Sequence, residues 1–378
     1  VSACNDLNVG LVKISLHVRT CDPSATDDTD AELFGFLSDI VARRICDLAE
    51  FTKRKAGKDK LVGTFYGYTF ECPDRTTCHH SLKTVLNCPD VDFICSPVSY
   101  AKNRELGRDH GCMLPCDSLR EHGKLYFAEN DTRTHLTVVP YPDIPYFQNP
   151  VFKPKRFDDT VEMLKLHYAR ALIHGYAHWW FDMWGGWYAD DTYMSEMREF
   201  LEISKSALDK PMGSVAQLAV FIDEKSYKYG APSSFVYLFR ETLGKIGTPY
   251  DCYLASDYQR VKDRYRAIVV LDPYRTSLVD SIISDAESRE VGCLVVTQHN
   301  SSLEPQTLRD FCRENSIHLY TEEDAVVYAN ESYLFVHSCD EKMPEVSVPN
   351  GRELRSLFES VATSPMHPKY ISALYEIK

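Results

Sequence analysis

The sequence predicts an α/β protein made of two successive runs of parallel β/α units. Three observations point there. Short apolar runs alternate with segments of helical period through residues 31–209, a Pro211-Met212-Gly213 linker interrupts the rhythm, and the alternation then restarts with different content. Strand–helix alternation of this kind builds parallel sheets joined by helical crossovers. At ~100–200 residues per domain, a chain of 378 residues has room for two such units.

Residues 31–57 place apolar side chains at helical spacing and end in a basic turn before Gly57, which is a helix with its stop. LVGTFYGY (61–68) follows as a buried strand. SLKTVLNC (81–88) reads as a helix, VDFICSP (91–97) as a strand, SLREHG (118–123) as a helical turn and KLYFAEND (124–131) as a strand. TVEMLKLHYARALIHG (160–175) is a long helix, AHWWFDMW (177–184) a strand, and residues 192–209 another helix.

In the second run, residues 215–223, 249–257, 265–273, 292–298 and 317–320 read as strands. Between them lie helices at 234–247, 277–289 and 304–315. This is the pattern of a flavodoxin-like sandwich. From about residue 325, AVVYANESYLFVHSC alternates as an antiparallel strand would. The expected domains are therefore 1–209, 210–345 and a C-terminal tail over 346–378.

Charge and composition exclude several classes. Lys and Arg total 42 against 55 Asp and Glu, a net charge of -13 that repels a phosphate backbone, so no nucleic-acid partner is expected. No apolar run approaches the ~20 residues that span a bilayer, so no membrane partner is expected. No signal peptide is visible at VSACNDLNVG. The 13 cysteines lack any C-x-x-C pair, and Cys95 and Cys293 sit in apolar runs. Buried thiols in a reducing, cytoplasmic compartment are the expectation.

Parallel β/α proteins place ligands at the carboxyl ends of their strands. The first run ends its strands consistently: in Tyr66, Tyr68 and Glu71; in Ser96, Pro97, Ser99 and Tyr100; in Glu129, Asn130 and Asp131, with Arg133 and His135 beyond; and in Asp182. Trp179, Trp180, Trp184 and Trp187 flank that last end and are all four tryptophans of the chain. Indole faces stack on the C–H faces of sugars, which makes the cluster a candidate sugar platform. The alternative is that Trp180 and one other pack against helices.

Glu129 is the candidate catalytic residue, because a carboxylate delivered by a bulky strand can attack an anomeric carbon. Arg133 and His135 are placed to hold it ionised, or Glu129 and Arg133 form a structural ion pair at the rim. Cys72, Cys78, His79 and His80, and the pair Cys112 and Cys116, lack the tight paired spacing of a zinc site, so no metal is expected. Sequons at Asn130, Asn300 and Asn330 read as chance matches. The second run has neither a glycine-rich dinucleotide turn nor a nucleophile elbow, so it is expected to be structural, with no cofactor.

The strings GTFYGYTFE, VDFICSPVSY, MLPCDSLREHGKLYFAENDTRTHL and WWFDMWGGWY together resemble glycoside hydrolase family 42 and the related bacterial β-galactosidase-like enzymes. Residues 210–340 are similar to that family's trimerisation domain. The resemblance implies a retaining glycosidase on a TIM (β/α)₈ barrel, with 61–68, 91–97, 124–131 and 177–184 as strands five to eight. Glu129 then matches the nucleophile on strand seven. Trp179, Asp182 and Trp184 match the eighth-strand residues of the sugar subsite. A carbohydrate substrate and a homotrimer are implied with them.

The sequence departs from the family on one point. Strands one to four, and the acid/base glutamate on strand four, have no counterpart, and residues 1–25 contain no glutamate. A fragment, a separate chain that completes the barrel, or a protein that has lost catalysis would each account for this. Glu71 is the one internal candidate for a proton donor. Two functions follow: a β-galactosidase-type hydrolase with a second half supplied from elsewhere, or a non-enzymatic carbohydrate-binding or scaffold subunit.

Overall fold

The computed structural model describes residues 28–71, 75–100, 104–138, 153–229, 233–271, 276–297, 303–358 and 370–378. Cys4, Cys21, Cys72, Asn300 and the segment 1–25 lie outside the described residues. Among the described residues the strands form three four-stranded sheets. The first is parallel, in the order β1 (Gly63–Thr64), β2 (Phe93–Pro97), β3 (Leu125–Asn130) and β4 (Ala177–Trp180). The helices α1 (Asp28–Ala56), α2 (Leu82–Leu86) and α3 (Cys116–Glu121) alternate with them. Two further helices follow, α4 (Phe157–His174) before β4 and α5 (Asp191–Ala207) after it.

The second sheet is parallel in the order β6 (Tyr250–Leu254), β5 (Leu218–Ile222), β7 (Ala267–Leu271), β8 (Gly292–Val296). With its first strand second in space, this is the flavodoxin-like order expected of the second run. The third sheet is antiparallel and joins β9 (Ala325–Ala329) and β10 (Tyr333–Ser338) to β11 (Leu354–Ser356) and β12 (Ser372–Ile377). Residues 346–378, read from the sequence as a tail, thus supply two paired strands. Residues 317–320, expected as a strand, are not one. Ile317 donates its N–H back to the Cys312 carbonyl at 2.8 Å and Tyr320 to Gly247 at 2.8 Å, so no ladder forms.

The expected strand 61–68 shrinks to two residues. At Gly67 the chain runs against β2, where an added Cβ would lie 2.9 Å from the Cys95 carbonyl oxygen and 3.0 Å from Ser96 Cβ. Beyond β4, the chain leaves the sheet at Phe181, whose N–H donates to the Asn130 carbonyl at 3.0 Å.

Burial separates the two parallel sheets. The flavodoxin-like sheet has a core on each face, Val220, Ile222 and Val269 in one cluster and Phe221, Ile268 and Val270 in another. The first sheet buries Ile94, Tyr126 and Ala128 on its helix side against Ala42, Leu82 and Leu119. Its opposite face carries a row of rings: Phe93 lies 5.8 Å from Phe127, Phe127 4.6 Å from Trp179, and Trp179 6.4 Å from Phe65. Phe65 is 50% exposed there, and Leu125 41%.

The two units are tied by buried polar contacts. The Glu224 carboxylate, beyond β5, accepts from the α2 backbone at Leu82 and, at 3.0 Å, at Lys83. Asp257 accepts from Lys83 and shares a hydrogen bond with His122 at 3.0 Å. Carboxylates at a helix N-terminus satisfy donors that the helix leaves orphaned. No described helix is long and apolar enough to cross a membrane.

The Gly67 contact is testable. Gly67→Ala forces backbone or Ser96 to shift and should cost about 1–3 kcal/mol, read as a lowered urea midpoint; an unchanged midpoint would contradict the close approach.

Candidate functional site

The register of the first sheet builds the site. Glu129 lies between its ladder partners Pro97 on β2 and Trp179 on β4. In-register neighbours of a pleated sheet share a face. The three therefore stand together at the carboxyl end, on the face that carries the rings. Asn130, one residue on, points the other way, is fully buried and shares a hydrogen bond with His178 at 3.0 Å.

Glu129 is half-buried, and its surroundings favour the neutral acid. Desolvation and the neighbouring Asp131 carboxylate push its carboxyl up to about 7, with the Arg104 guanidinium pulling the other way. Arg104 is a residue that sequence reasoning missed. It is buried, adopts φ 59°, and pairs with Asp131 at 2.5 Å. It also donates to the carbonyls of Val98 at 2.9 Å and Ser99 at 3.3 Å, and its guanidinium lies 4.4 Å from the Tyr100 ring centre. The Tyr100 hydroxyl donates to Asp131 at 3.0 Å. Arg104, Asp131 and Tyr100 thus lock the loops that follow β2 and β3.

Arg133 and His135, expected to hold Glu129, serve other contacts. His135 shares a hydrogen bond with the Tyr193 hydroxyl and packs edge-on to Phe157 at 5.8 Å, between α4 and α5. Burial pushes its imidazole below the usual value, which favours the neutral ring. The Arg133 guanidinium lies 5.2 Å from the Trp184 ring. The charges that act on Glu129 are those of Asp131 and Arg104. Strand alternation explains the difference, because residues beyond Asn130 follow an irregular path that no period predicts.

The tryptophans divide. Trp179 stands beside Glu129 on the open face. Trp180 packs on the α4–α5 cluster with Trp184 partly buried against it, and Trp187 is core at 2% exposure. Trp187 therefore offers no stacking face here, in correction of its expected place in a platform. Asp182 is exposed and accepts from the Trp187 N–H at 3.1 Å, which shapes the loop.

Tyr66 and Ser96 are corrected in the same way. Both are buried on the helix side, Tyr66 donating to the Cys78 carbonyl at 2.9 Å and Ser96 sharing a hydrogen bond with Tyr126 at 2.9 Å. Tyr68 is half-buried and meets His79 edge-on at 5.2 Å. Glu71 accepts from the Ser99 hydroxyl at 2.6 Å. Burial pushes its carboxyl up, with that hydrogen bond and Arg240 opposing. Among the described residues, no cluster of His, Cys, Asp or Glu is arranged to hold a metal. Asn130 and Asn330 of the sequons are both buried, and Asn330 donates to the Ile173 carbonyl at 2.8 Å.

The raised carboxyl gives a pH signature. Because Glu129 holds its proton more tightly folded than unfolded, its contribution falls as pH rises from the ordinary carboxyl range through about 7. Glu129→Gln should therefore gain stability over the parent at pH 8 and not at pH 4, measured by urea denaturation. In side-chain ¹³C spectra the Glu129 carboxyl should titrate near 7, and higher in Arg104→Gln; a midpoint near 4 in the parent would refute the assignment.

No protein-family model matches the chain, and no curated protein sequence matches it. Solved structures do. The apo exo-carrageenase of glycoside hydrolase family 42 from Bacteroides ovatus is similar with a TM-score of 0.53 and 14% identity, over 92% of this chain and 56% of that one. A family 42 β-galactosidase from G. stearothermophilus, solved as a catalytic mutant, gives a TM-score of 0.43 and 9% identity, over 80% of this chain and 67% of that one. At such identities the likeness is one of fold. The chain spans just over half the length of the exo-carrageenase and shares its glycoside-hydrolase-like α/β fold over that span.

Proposed function

We propose that this chain is the C-terminal half of a retaining glycoside hydrolase of β-galactosidase type, acting on β-linked sugars. Glu129 is the nucleophile toward the anomeric carbon, and the acid/base comes from a separate or upstream (β/α) half. One observation carries this reading: the parallel register presents Glu129 beside Trp179 on an open, ring-lined sheet face. A barrel interior is a packed core, so such a face suits a sheet that is half of a closed barrel. The helix side supports the same reading, since α1 leaves Phe36, Val41, Leu48 and Phe51 exposed. A neighbouring helix of the missing half would cover them.

In this mechanism the ionised Glu129 forms the glycosyl–enzyme bond while the second carboxylic acid protonates the leaving oxygen. That acid then deprotonates the water that releases the sugar. The two carboxyl groups of retaining enzymes stand ~5–5.5 Å apart, so the second half has to dock across the open face. Its hydrogen-bond donors would also have to lower Glu129, which this chain's own residues hold near 7. That value favours a second reading, a carbohydrate-binding or scaffold subunit that uses Trp179 without turnover. In either reading the second unit is the oligomerisation domain, trimeric by resemblance.

The two readings separate on two variants. In the assembly purified from its natural source, Glu129→Gln should lower hydrolysis of an aryl β-galactoside by more than about a thousandfold while sugar binding persists. Full activity in the variant would end the nucleophile assignment. Absence of hydrolysis by the parent assembly, with sugar binding lost in Trp179→Ala, would establish the binding subunit instead.

A further inference from the structure

The second and third sheets meet the segment 109–117, α4 and the helix Ser233–Leu243 around a cavity of about 70 Å³ whose lining does not include Glu129. Two arginines reach it from different units. Arg170 of α4 is 2% exposed, and Arg240 of the helix Ser233–Leu243 is 9% exposed. Arg170 spends one nitrogen on the His110 carbonyl, but its Nε and Nη2 have no partner, and neither have Nη1 and Nη2 of Arg240. Four buried guanidinium nitrogens are thus left with protons to donate into the same space.

The acidic neighbour does not absorb these donors. Asp109 accepts from the Tyr250 hydroxyl at 3.0 Å on one oxygen and from the Tyr328 hydroxyl at 2.6 Å on the other. It lends charge to the region and no hydrogen bond to the orphaned nitrogens. Arg240 is also braced. A Cβ at Gly111 would fall 2.2 Å from its Nη2, so the guanidinium rests directly on that backbone, with the Phe70 ring 5.4 Å away. Water in the cavity would satisfy donors but bring no charge, and two buried cations would then share Asp109, with Glu71 acting on Arg240 alone.

We propose that this cavity is a binding site for a small oxyanion, inorganic phosphate or sulfate, held between Arg170 and Arg240. The planar forks of two arginines match the oxygens of a tetrahedral dianion and neutralise with it. The size agrees. At roughly 10–15 Å³ per water on this measure, the space holds about five waters, enough for a four-oxygen ion and too little for a nucleotide or sugar phosphate. The ion would join α4 of the first unit to the second unit, and so act as a structural ligand of the domain junction. Cys112, which also lines the cavity, is held near both arginines; burial raises its thiol, but a hydrogen bond with Cys116 and the two guanidinium charges bring it below its usual value.

The test uses the full chain, dialysed free of phosphate and sulfate. At constant ionic strength set with chloride, added phosphate or sulfate should raise the thermal midpoint saturably, as a ligand of the native state does. Calorimetric titration should give one ion per chain. Arg240→Lys keeps a cation and loses the fork, and should weaken binding at least about tenfold. Arg240→Met should be insensitive to either ion; if it does not fold, the titration of the parent and of Arg240→Lys decides. A midpoint shift matched by chloride, no binding heat in the parent, or unchanged affinity in Arg240→Lys would each overturn the proposal. Phosphate and sulfate titrations run separately identify which ion the site prefers.

Discussion

The parallel register that aligns Pro97, Glu129 and Trp179 is the constraint on which the candidate site depends. Side chains of a strand alternate between faces, so a slip of one residue in β3 would turn Glu129 to the helix side and Asn130 to the open face. Burial forbids that slip. Tyr126, Ala128 and Asn130 are enclosed on the helix side, with Tyr126 bonded to Ser96 and Asn130 to His178. The position of Glu129 is therefore set by what lies behind the sheet. The Arg104–Asp131–Tyr100 lock then fixes the loops on either side and sets the charge that Glu129 experiences.

Much of this was legible in the chain, and the parts that were not have physical reasons. The long helices and the strands of the second run announce themselves by period and by their caps; α4, for instance, stops at Gly175, which takes φ 69°. KLYFAEND reads plainly as a strand, but its apolar residues do not alternate with polar ones, so nothing in it says which face Glu129 joins. Arg104 was invisible because it sits in irregular backbone and acts across to Asp131. Trp187 and Tyr66 were misplaced because a sequence cannot tell a ring that stacks on a ligand from one that fills a core. Residues 372–377 gave little sign of being a strand, since SALYEI does not alternate apolar with polar residues, yet it pairs with β10 and the three-residue β11.

The contrast between the two parallel sheets is the broader lesson. One is sealed on both faces, as parallel sheets ordinarily are. Among the described residues the other is sealed on one, and its second face holds Phe93, Phe127, Trp179 and Phe65 in sequence around a carboxylate of raised affinity for protons. A row of partly exposed rings ending in the exposed Phe65 is costly to a chain on its own and useful to one that is covered. Desolvation by a covering half would strengthen every interaction at Glu129. The proposed nucleophile and the proposed docking face are in this sense one feature of the sheet.

The most direct test of that account is covalent trapping. The assembly from the natural source would be treated with a 2-deoxy-2-fluoro-β-galactosyl fluoride, which retaining enzymes turn into a long-lived glycosyl–enzyme ester, and its peptides mapped by mass. The account predicts a single fluorosugar adduct on the peptide that contains Glu129, formed at one per active assembly site. An adduct on any other carboxylate, or turnover of the substrate by an assembly in which Glu129 stays unmodified, would contradict it.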